Sequence, residues 1–190
     1  IVIQDTRGTH ESEGECRVFF DDGWGLDPDG EHWDGYDTVE WVASQSWCDG
    51  KVGMFGASAL GIATNMAAAA DPPHLVCAVA FVSASDLYHD AVHQGGGLLK
   101  NLVEEWLNSV GAVPDVLQQM VEHESYDALW KNASMVEKHS TTRVPFYHVG
   151  GWYDIFYDGT LRHFKGLQQN GASPAARGNQ RVIIGPWTHT

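Results

Sequence analysis

Basic residues, cysteines and long apolar runs are all scarce in this sequence, and each shortage narrows what the chain does. Lys and Arg number 11 against 25 Asp and Glu, a formal net charge of -14. Binding phosphate backbones needs clustered cations, so nucleic acid is disfavoured as a partner. The three cysteines (Cys16, Cys48 and Cys77) are widely spaced and form no C-x-x-C pair. Disulfides and zinc are therefore not expected to hold the fold together, and Cys77, inside an apolar run, is expected to be a buried small hydrophobe. Alanines and polar residues interrupt every apolar stretch before it reaches a membrane-spanning length, so no membrane partner is expected. The opening "IVIQDTRG" lacks the basic start, apolar core and cleavage site of a signal peptide. It reads as a buried strand running into a polar turn. A chain that opens inside a strand suggests a piece of a longer protein.

Cofactor and metal patterns are missing too. No G-x-G-x-x-G and no Gly-Lys-Ser/Thr occurs near the glycines. His10 and His123 each precede a glutamate, but neither has a second histidine four residues on, which excludes a zincin motif. The Asp/Gly-rich stretch from Asp21 to Asp37 has some flavour of a calcium loop without its D-x-[DN]-x-[DN]-G spacing. It is expected to be a solvated loop, and neither metal nor cofactor is expected.

What is present has the rhythm of an α/β protein. Short, nearly continuous apolar runs at Ile1–Gln4, Lys51–Phe55, Val76–Val82, Val144–Val149 and Arg181–Ile184 predict strands buried on both faces of a mostly parallel sheet. Helical patterns lie between them. Tyr36, Val39, Ala43 and Trp47 recur at helical spacing, with Asp34 or Asp37 as a cap. Ala59–Ala70 is rich in helix formers and stops at "DPP". Phe156–Gln169 carries Phe156, Leu161, Phe164 and Leu167 among polar residues. Residues 90–141 hold no convincing strand, only helical patterns at Leu98–Val110, Val116–His123 and Tyr126–Trp130. They predict a helical insertion between core segments 1–89 and 142–190. The eight tryptophans are expected mostly in the core or at interfaces.

The chemistry centres on "GASALG", Gly56 to Gly61, placed between a strand and a helix. A serine held on so sharp a turn needs small neighbours two residues away. Gly56 meets that need, whereas position 60 is Leu60 and the second glycine comes one residue later. Alone, this is equally a simple turn. A nucleophilic serine also needs a base, and the base an orienting acid. The strand "VPFYHVGG" leads to Asp154 and "RVIIGPW" leads to His189, so an acid and a histidine follow the last two strands, in the chain order serine, acid, histidine of α/β-hydrolases. Asp154 also reads as an N-cap of the following helix, and His189 as one loop histidine among ten. His148 reads as structural.

These segments resemble the serine hydrolases grouped with cocaine esterase, X-Pro dipeptidyl-peptidase and α-amino acid ester hydrolase. "IVIQDTRGTHESEGE", "DGYDTVEWVASQSWCDGKVGMFGASALG", "VPFYHVGGWYDIF" and "VIIGPWTHT" carry the resemblance from end to end, apart from the helical middle. It implies an α/β-hydrolase core whose first strands are missing, with residues 90–141 as a short cap. It also implies Ser58 as nucleophile, Asp154 as acid, His189 as base and the backbone N–H of Ala59 as an oxyanion donor. The family commonly places an aromatic directly after the serine, where this chain has Ala59. Its other oxyanion donor is a tyrosine on an earlier segment, and a β-sandwich domain follows the histidine; both fall outside this chain. The branch that reads a substrate ammonium does so with carboxylates just after the catalytic aspartate. Ile155 and Phe156 stand there instead, which favours a neutral or apolar acyl group on a small ester, amide or short peptide. Two alternatives stay open: a non-catalytic domain of the same fold that binds a ligand, and dipeptidyl-peptidase activity.

Overall fold

Four short runs rich in Val, Ile and Phe become the strands β1 (Val52–Ala57), β2 (Leu75–Phe81), β3 (Phe146–Gly151) and β4 (Arg181–Gly185). They pair in parallel in the sheet order β1-β2-β3-β4. The computed structural model describes residues 1–20 and 33–189. Helices fill the connections: α1 (Asp34–Ser44), α2 (Ala59–Ala69), α3 (Lys100–Val110), α4 (Pro114–Glu122), α5 (Ala128–Asn132), α6 (Tyr157–Asn170) and α7 (Pro174–Gly178). None of the described helices is long and apolar enough to cross a membrane.

The strand runs anticipate cover on both faces, but among the described residues only one face has it. Val39 of α1, Ala68 of α2 and Leu167 of α6 pack with Leu75, Ala78, Ala80 and Phe146 of the sheet. Burying Leu167 completely stabilises the layer by about 2 kcal/mol. On the other face Phe55, Tyr147 and Ile183 are exposed, and so is Cys77. Cys77 is therefore not the buried hydrophobe that its apolar neighbours suggest. Topology supplies the reason. Each strand adds to the same edge of the sheet, so crossovers of one hand deliver their helices α2 and α6 to the same side.

Other expectations also change. Residues Ile1–Gln4 form no strand among the described residues, and Ile1 and Ile3 are exposed, because no strand lies alongside to pair with them. Their polar turn does form, closed by the bond from Gly8 N–H to the Glu13 carbonyl at 3.0 Å. Neither Asp34 nor Asp37 caps α1, whose N-cap is Trp33 without a side-chain bond. Asp34 instead accepts two hydrogen bonds from Arg7, at 2.9 and 2.6 Å, which fastens the "DTRG" turn to the helix. Of the loop expected over Asp21 to Asp37, residues 21–32 lie outside the described residues, and Asp34–Asp37 form the first turn of α1. Trp47 falls beyond the end of α1 and is exposed. The tryptophans favour the surface: Trp130 is fully buried, whereas Trp33, Trp41, Trp47, Trp152 and Trp187 are exposed.

The helices between β2 and β3 build a second core. Val92, Leu107, Val116, Met120 and Trp130 cluster with Ile62 and Met66 of α2 and with Phe156. The helical segment thus packs along one side of α2, from Ala59 and Ile62 next to Ser58 to Met66 and Ala69.

Three histidines are buried between this segment, β3 and α6. His139 and His163 share a 3.0 Å ring-to-ring hydrogen bond, and the ring of His148 stands 5.1 Å from that of His163. His148 Nε2 pairs with Gln180 Oε1 at 3.0 Å. Desolvation by burial lowers His139 to about 4 and His148 to about 4, and it pushes His163 well down. Histidines that bind protons less readily when folded contribute stability that is complete above their unfolded value near 6.5. That stability is lost as the pH falls towards about 4, because the unfolded chain then binds more protons. We expect the melting temperature to fall steadily on acidification from neutrality into this window, measured by calorimetry at several pH values. An unchanged melting temperature across it would mean that the trio is solvated.

Candidate active site

Ser58 lies between the last residue of β1 and the first of α2, with φ 55° and ψ -122°. This left-handed backbone costs a non-glycine residue about 1–3 kcal/mol and survives only where the surroundings enforce it. Three contacts enforce it here. The Ser58 N–H donates to the Phe81 carbonyl at the end of β2 at 3.0 Å, and the Ser58 carbonyl accepts the first helical bond from Ile62 N–H at 2.9 Å. A Cβ on Gly56 would overlap the Leu60 carbonyl, so the turn closes onto a bare α-carbon. The side chain of Leu60 points to solvent and is 63% exposed, which is why no glycine is needed there. Gly61 serves a neighbouring contact: a Cβ on it would lie 2.7 Å from Cβ of Ser83, where α2 rests on the exit of β2.

The acid and the histidine arrive from the last two strands of the sheet, β3 and β4. Asp154 follows β3, with its side chain wholly out of solvent. One carboxylate oxygen accepts the Phe156 N–H at 2.6 Å. The other meets His189 Nδ1 at 2.7 Å. Asp154 therefore faces the histidine and ties the turn ahead of α6, but it is not the N-cap that its sequence position suggested: the N-cap is Phe156, without a side-chain bond, because the helix starts three residues after the acid. His189 follows β4, and its Nε2 stands 2.8 Å from Ser58 Oγ. With the carboxylate ionised, Nδ1 carries the proton and Nε2 is left to accept from the serine hydroxyl. Ser58, His189 and Asp154 thus form one continuous hydrogen-bonded chain at the carboxyl ends of three parallel strands, where open α/β sheets carry their sites.

Ala59 is the first residue of α2. Its N–H belongs to the first turn of the helix and has no intrahelical acceptor. Phe156 was legible as a helix residue and as an apolar side chain just after the acid, but not as a neighbour of the base: its ring stands edge-on to His189 at 5.2 Å. It is buried in the second core, so it couples that core to the imidazole. No spacing rule signals such a contact. Trp152, Tyr153 and Trp187 are exposed on the segments that lead to Asp154 and His189. His148 is buried in β3. Among the described residues, no group of three or more His, Cys, Asp or Glu is arranged to hold a metal ion.

The sequence pattern of the family described as X-Pro dipeptidyl-peptidase (S15 family) matches residues 1–113 and 101–190. The chain belongs to that S15 family. Cocaine esterase of Rhodococcus sp. (strain MB1 Bresler) is 29% identical to this S15 chain over 236 aligned positions, which cover all of this chain and 38% of that protein. A CocE/NonD family hydrolase from Staphylococcus aureus shares the fold at a TM-score of 0.71 and 22% identity, over 94% of this chain and 31% of the other. An α-amino acid ester hydrolase does so at 0.67 and 21%, over 98% and 36%. The S15 chain therefore has an α/β-hydrolase fold and spans between three- and four-tenths of the length of these relatives.

The elbow itself is testable. Replacing Gly56 by valine forces a branched side chain into the Leu60 backbone. We expect this variant to lose about 3 kcal/mol or more of stability in denaturant titration. Leu60→Gly should stay within about 1 kcal/mol of the parent.

Proposed function

We propose that this S15 chain carries the catalytic centre of a serine hydrolase that cleaves small esters or amides through an acyl-enzyme. The observation that carries the reading is the unbroken Ser58–His189–Asp154 chain, with contacts of 2.8 and 2.7 Å. In this reading Ser58 Oγ attacks the acyl carbonyl while His189 Nε2 takes its proton. Asp154 holds the imidazole in the required tautomer and stabilises the imidazolium. The protonated His189 then gives its proton to the leaving alcohol or amine, and the ester bond to Ser58 remains. Water, deprotonated by the same imidazole, cleaves that ester and releases the acid.

Negative charge gathers on the carbonyl oxygen in each tetrahedral intermediate. The N–H of Ala59 is the donor proposed for it, since it is set by the elbow and stands at the positive end of α2. Alanine there leaves the donor in place and makes room beside the nucleophile. Ile155 and Phe156 follow the acid, so the two positions directly after Asp154 bring no carboxylate to read a substrate ammonium. A neutral or apolar acyl group therefore suits the site better than an α-amino acyl group. The helices packed along α2 are proposed as the cap that shapes this pocket and limits water.

A fluorophosphonate probe applied to the full-length protein tests the nucleophile. We expect labelling at Ser58, none in Ser58→Ala, and a fall in small-ester turnover on the order of 10⁴-fold or more in that variant. A folded Ser58→Ala variant with parental turnover would remove the assignment and favour a binding domain. Ala59→Pro separately deletes the proposed oxyanion donor. It should cost about 100-fold or more in kcat with the fold intact by circular dichroism.

A further inference from the structure

Ser58 and Asp154 belong to strands that do not touch. β1 carries the serine, β3 carries the acid, and β2 lies between them. Their separation therefore depends on how firmly the exit of β2 holds each side. On the serine side it holds by the Ser58–Phe81 bond of 3.0 Å, and by Asn65 Nδ2 of α2, which donates to the Ser83 hydroxyl at 3.2 Å and to the Ala84 carbonyl at 2.9 Å. On the acid side the β2 exit holds to β3 by the bond from Val82 N–H to the Val149 carbonyl at 2.7 Å, and beyond the strands it holds to α6 by a buried carboxylate, Asp90.

Asp90 lies in the turn Leu87–Val92, which is closed by the wide bond from His93 N–H to the Tyr88 carbonyl at 2.7 Å. Its side chain is 1% exposed. One oxygen accepts the Ser85 N–H at 2.9 Å, the Asp86 N–H at 2.9 Å and the Ser85 hydroxyl at 3.1 Å. The other oxygen receives Arg162 of α6 at 2.6 Å. The contact is close enough that a Cβ on Gly159, in the first turn of α6, would overlap the carboxylate. Gln94 adds a strap: its side-chain amide donates to the Asp90 carbonyl and to the Ile155 carbonyl, the latter at 3.0 Å. The bonds to Ser85 and Asp86 fix the carboxylate within its own segment, while the Arg162 bond, the Gly159 approach and the Gln94–Ile155 bond join that segment to the first turns of α6 and to the loop that presents Asp154.

We propose that Asp90 is a positioning residue of the hydrolase centre: its carboxylate locks the first turns of α6 against the exit of β2 and so fixes Asp154 at bonding distance from His189. The role rests on the serine-hydrolase reading above, and Asp90 itself touches none of the three triad residues through a hydrogen bond described here. An ordinary stabilising ion pair on the surface contributes little. A buried carboxylate costs several kcal/mol to desolvate unless every lone pair is used, and four donors use it here. Two charged groups face it, Arg162 from α6 and Asp86 from its own segment. Burial raises its proton affinity, Arg162 opposes that rise, and Asp86 adds to it.

Two variants of the full-length protein test this. Asp90→Asn keeps the shape and loses the charge that Arg162 needs; Arg162→Gln removes the pair from its half-exposed side and leaves the buried carboxylate bonded to Ser85 and Asp86. Active-site titration with a fluorophosphonate corrects for any unfolded fraction. In the folded fraction we expect kcat on a small ester to fall about tenfold or more, with KM within about threefold. We also expect the acid limb of the kcat/KM profile to move down by about half a pH unit, because a misplaced Asp154 stabilises the His189 imidazolium less. If Asp90→Asn does not fold, Arg162→Gln is decisive. A loss of activity wholly accounted for by the titrated fraction, with the acid limb in place, assigns Asp90 to folding alone and overturns the proposal. Ser58→Ala separates the two readings. If it abolishes turnover while Asp90→Asn and Arg162→Gln leave kcat and the limb unchanged, only the positioning role fails. If Ser58→Ala itself retains turnover, the hydrolase reading fails and takes the positioning role with it.

Discussion

The strained backbone of Ser58 is the constraint on which the rest of the site depends. A left-handed serine is tolerated because three neighbours act at once: β2 takes its N–H, α2 takes its carbonyl, and Gly56 lets the chain fold back. The same contacts aim Oγ at His189. They also expose the first N–H of α2, which a relaxed turn would direct elsewhere. Strain is therefore not incidental to the site. It is the means by which a short polar side chain is raised above the edge of a parallel sheet.

His189 and Asp154 are held by different physics. Neither Asp154 nor His189 needs an unusual backbone; each sits on a short loop past its strand, at 2.7 Å from the other. Such loops take their position from what packs against them. For His189 that includes the ring of Phe156 at 5.2 Å, and Phe156 belongs to the core shared with the β2–β3 helices. For Asp154 it includes the Phe156 N–H and the start of α6. The helices between β2 and β3 therefore bear on the geometry of the centre through packing, whatever they contribute to substrate contact.

Much of this was legible in the residues. Continuous apolar runs gave four of the five strands to within a few residues, since β-branched and aromatic residues bounded by glycine or proline leave few alternatives. The order of Ser58, Asp154 and His189 placed each at a strand end, and the fold brings all three together from β1, β3 and β4. What failed was non-local. Ile1–Gln4 has a strand composition, but a strand needs a partner, and the described residues supply none. The expectation that every strand is covered twice failed because local sequence does not say on which side a crossover lands. Cys77 followed the same error, since its neighbours are apolar and its face is open. Asp34 looked like a cap by position, and Arg7, 27 residues away in sequence, claimed it instead.

Asp90 shows why the last layer of a site escapes sequence reading. By pattern it is one acid among 25 charged alike, at the edge of a helical stretch. Nothing in its spacing links it to Gly159 or Arg162, which lie about seventy residues on. The signal that does exist is indirect. Gly159 interrupts the first turn of a helix, where alanine would be more stable by about 1 kcal/mol. A glycine kept at that cost marks a close approach, and here the approaching group is a carboxylate. Helix glycines that face a neighbouring loop are thus the place to look for such groups. The contact matters because β1 and β3 are not neighbours: in a sheet of this order, the strand between serine and acid must transmit their spacing, and a fully bonded buried charge is stiffer than apolar packing, which can slide.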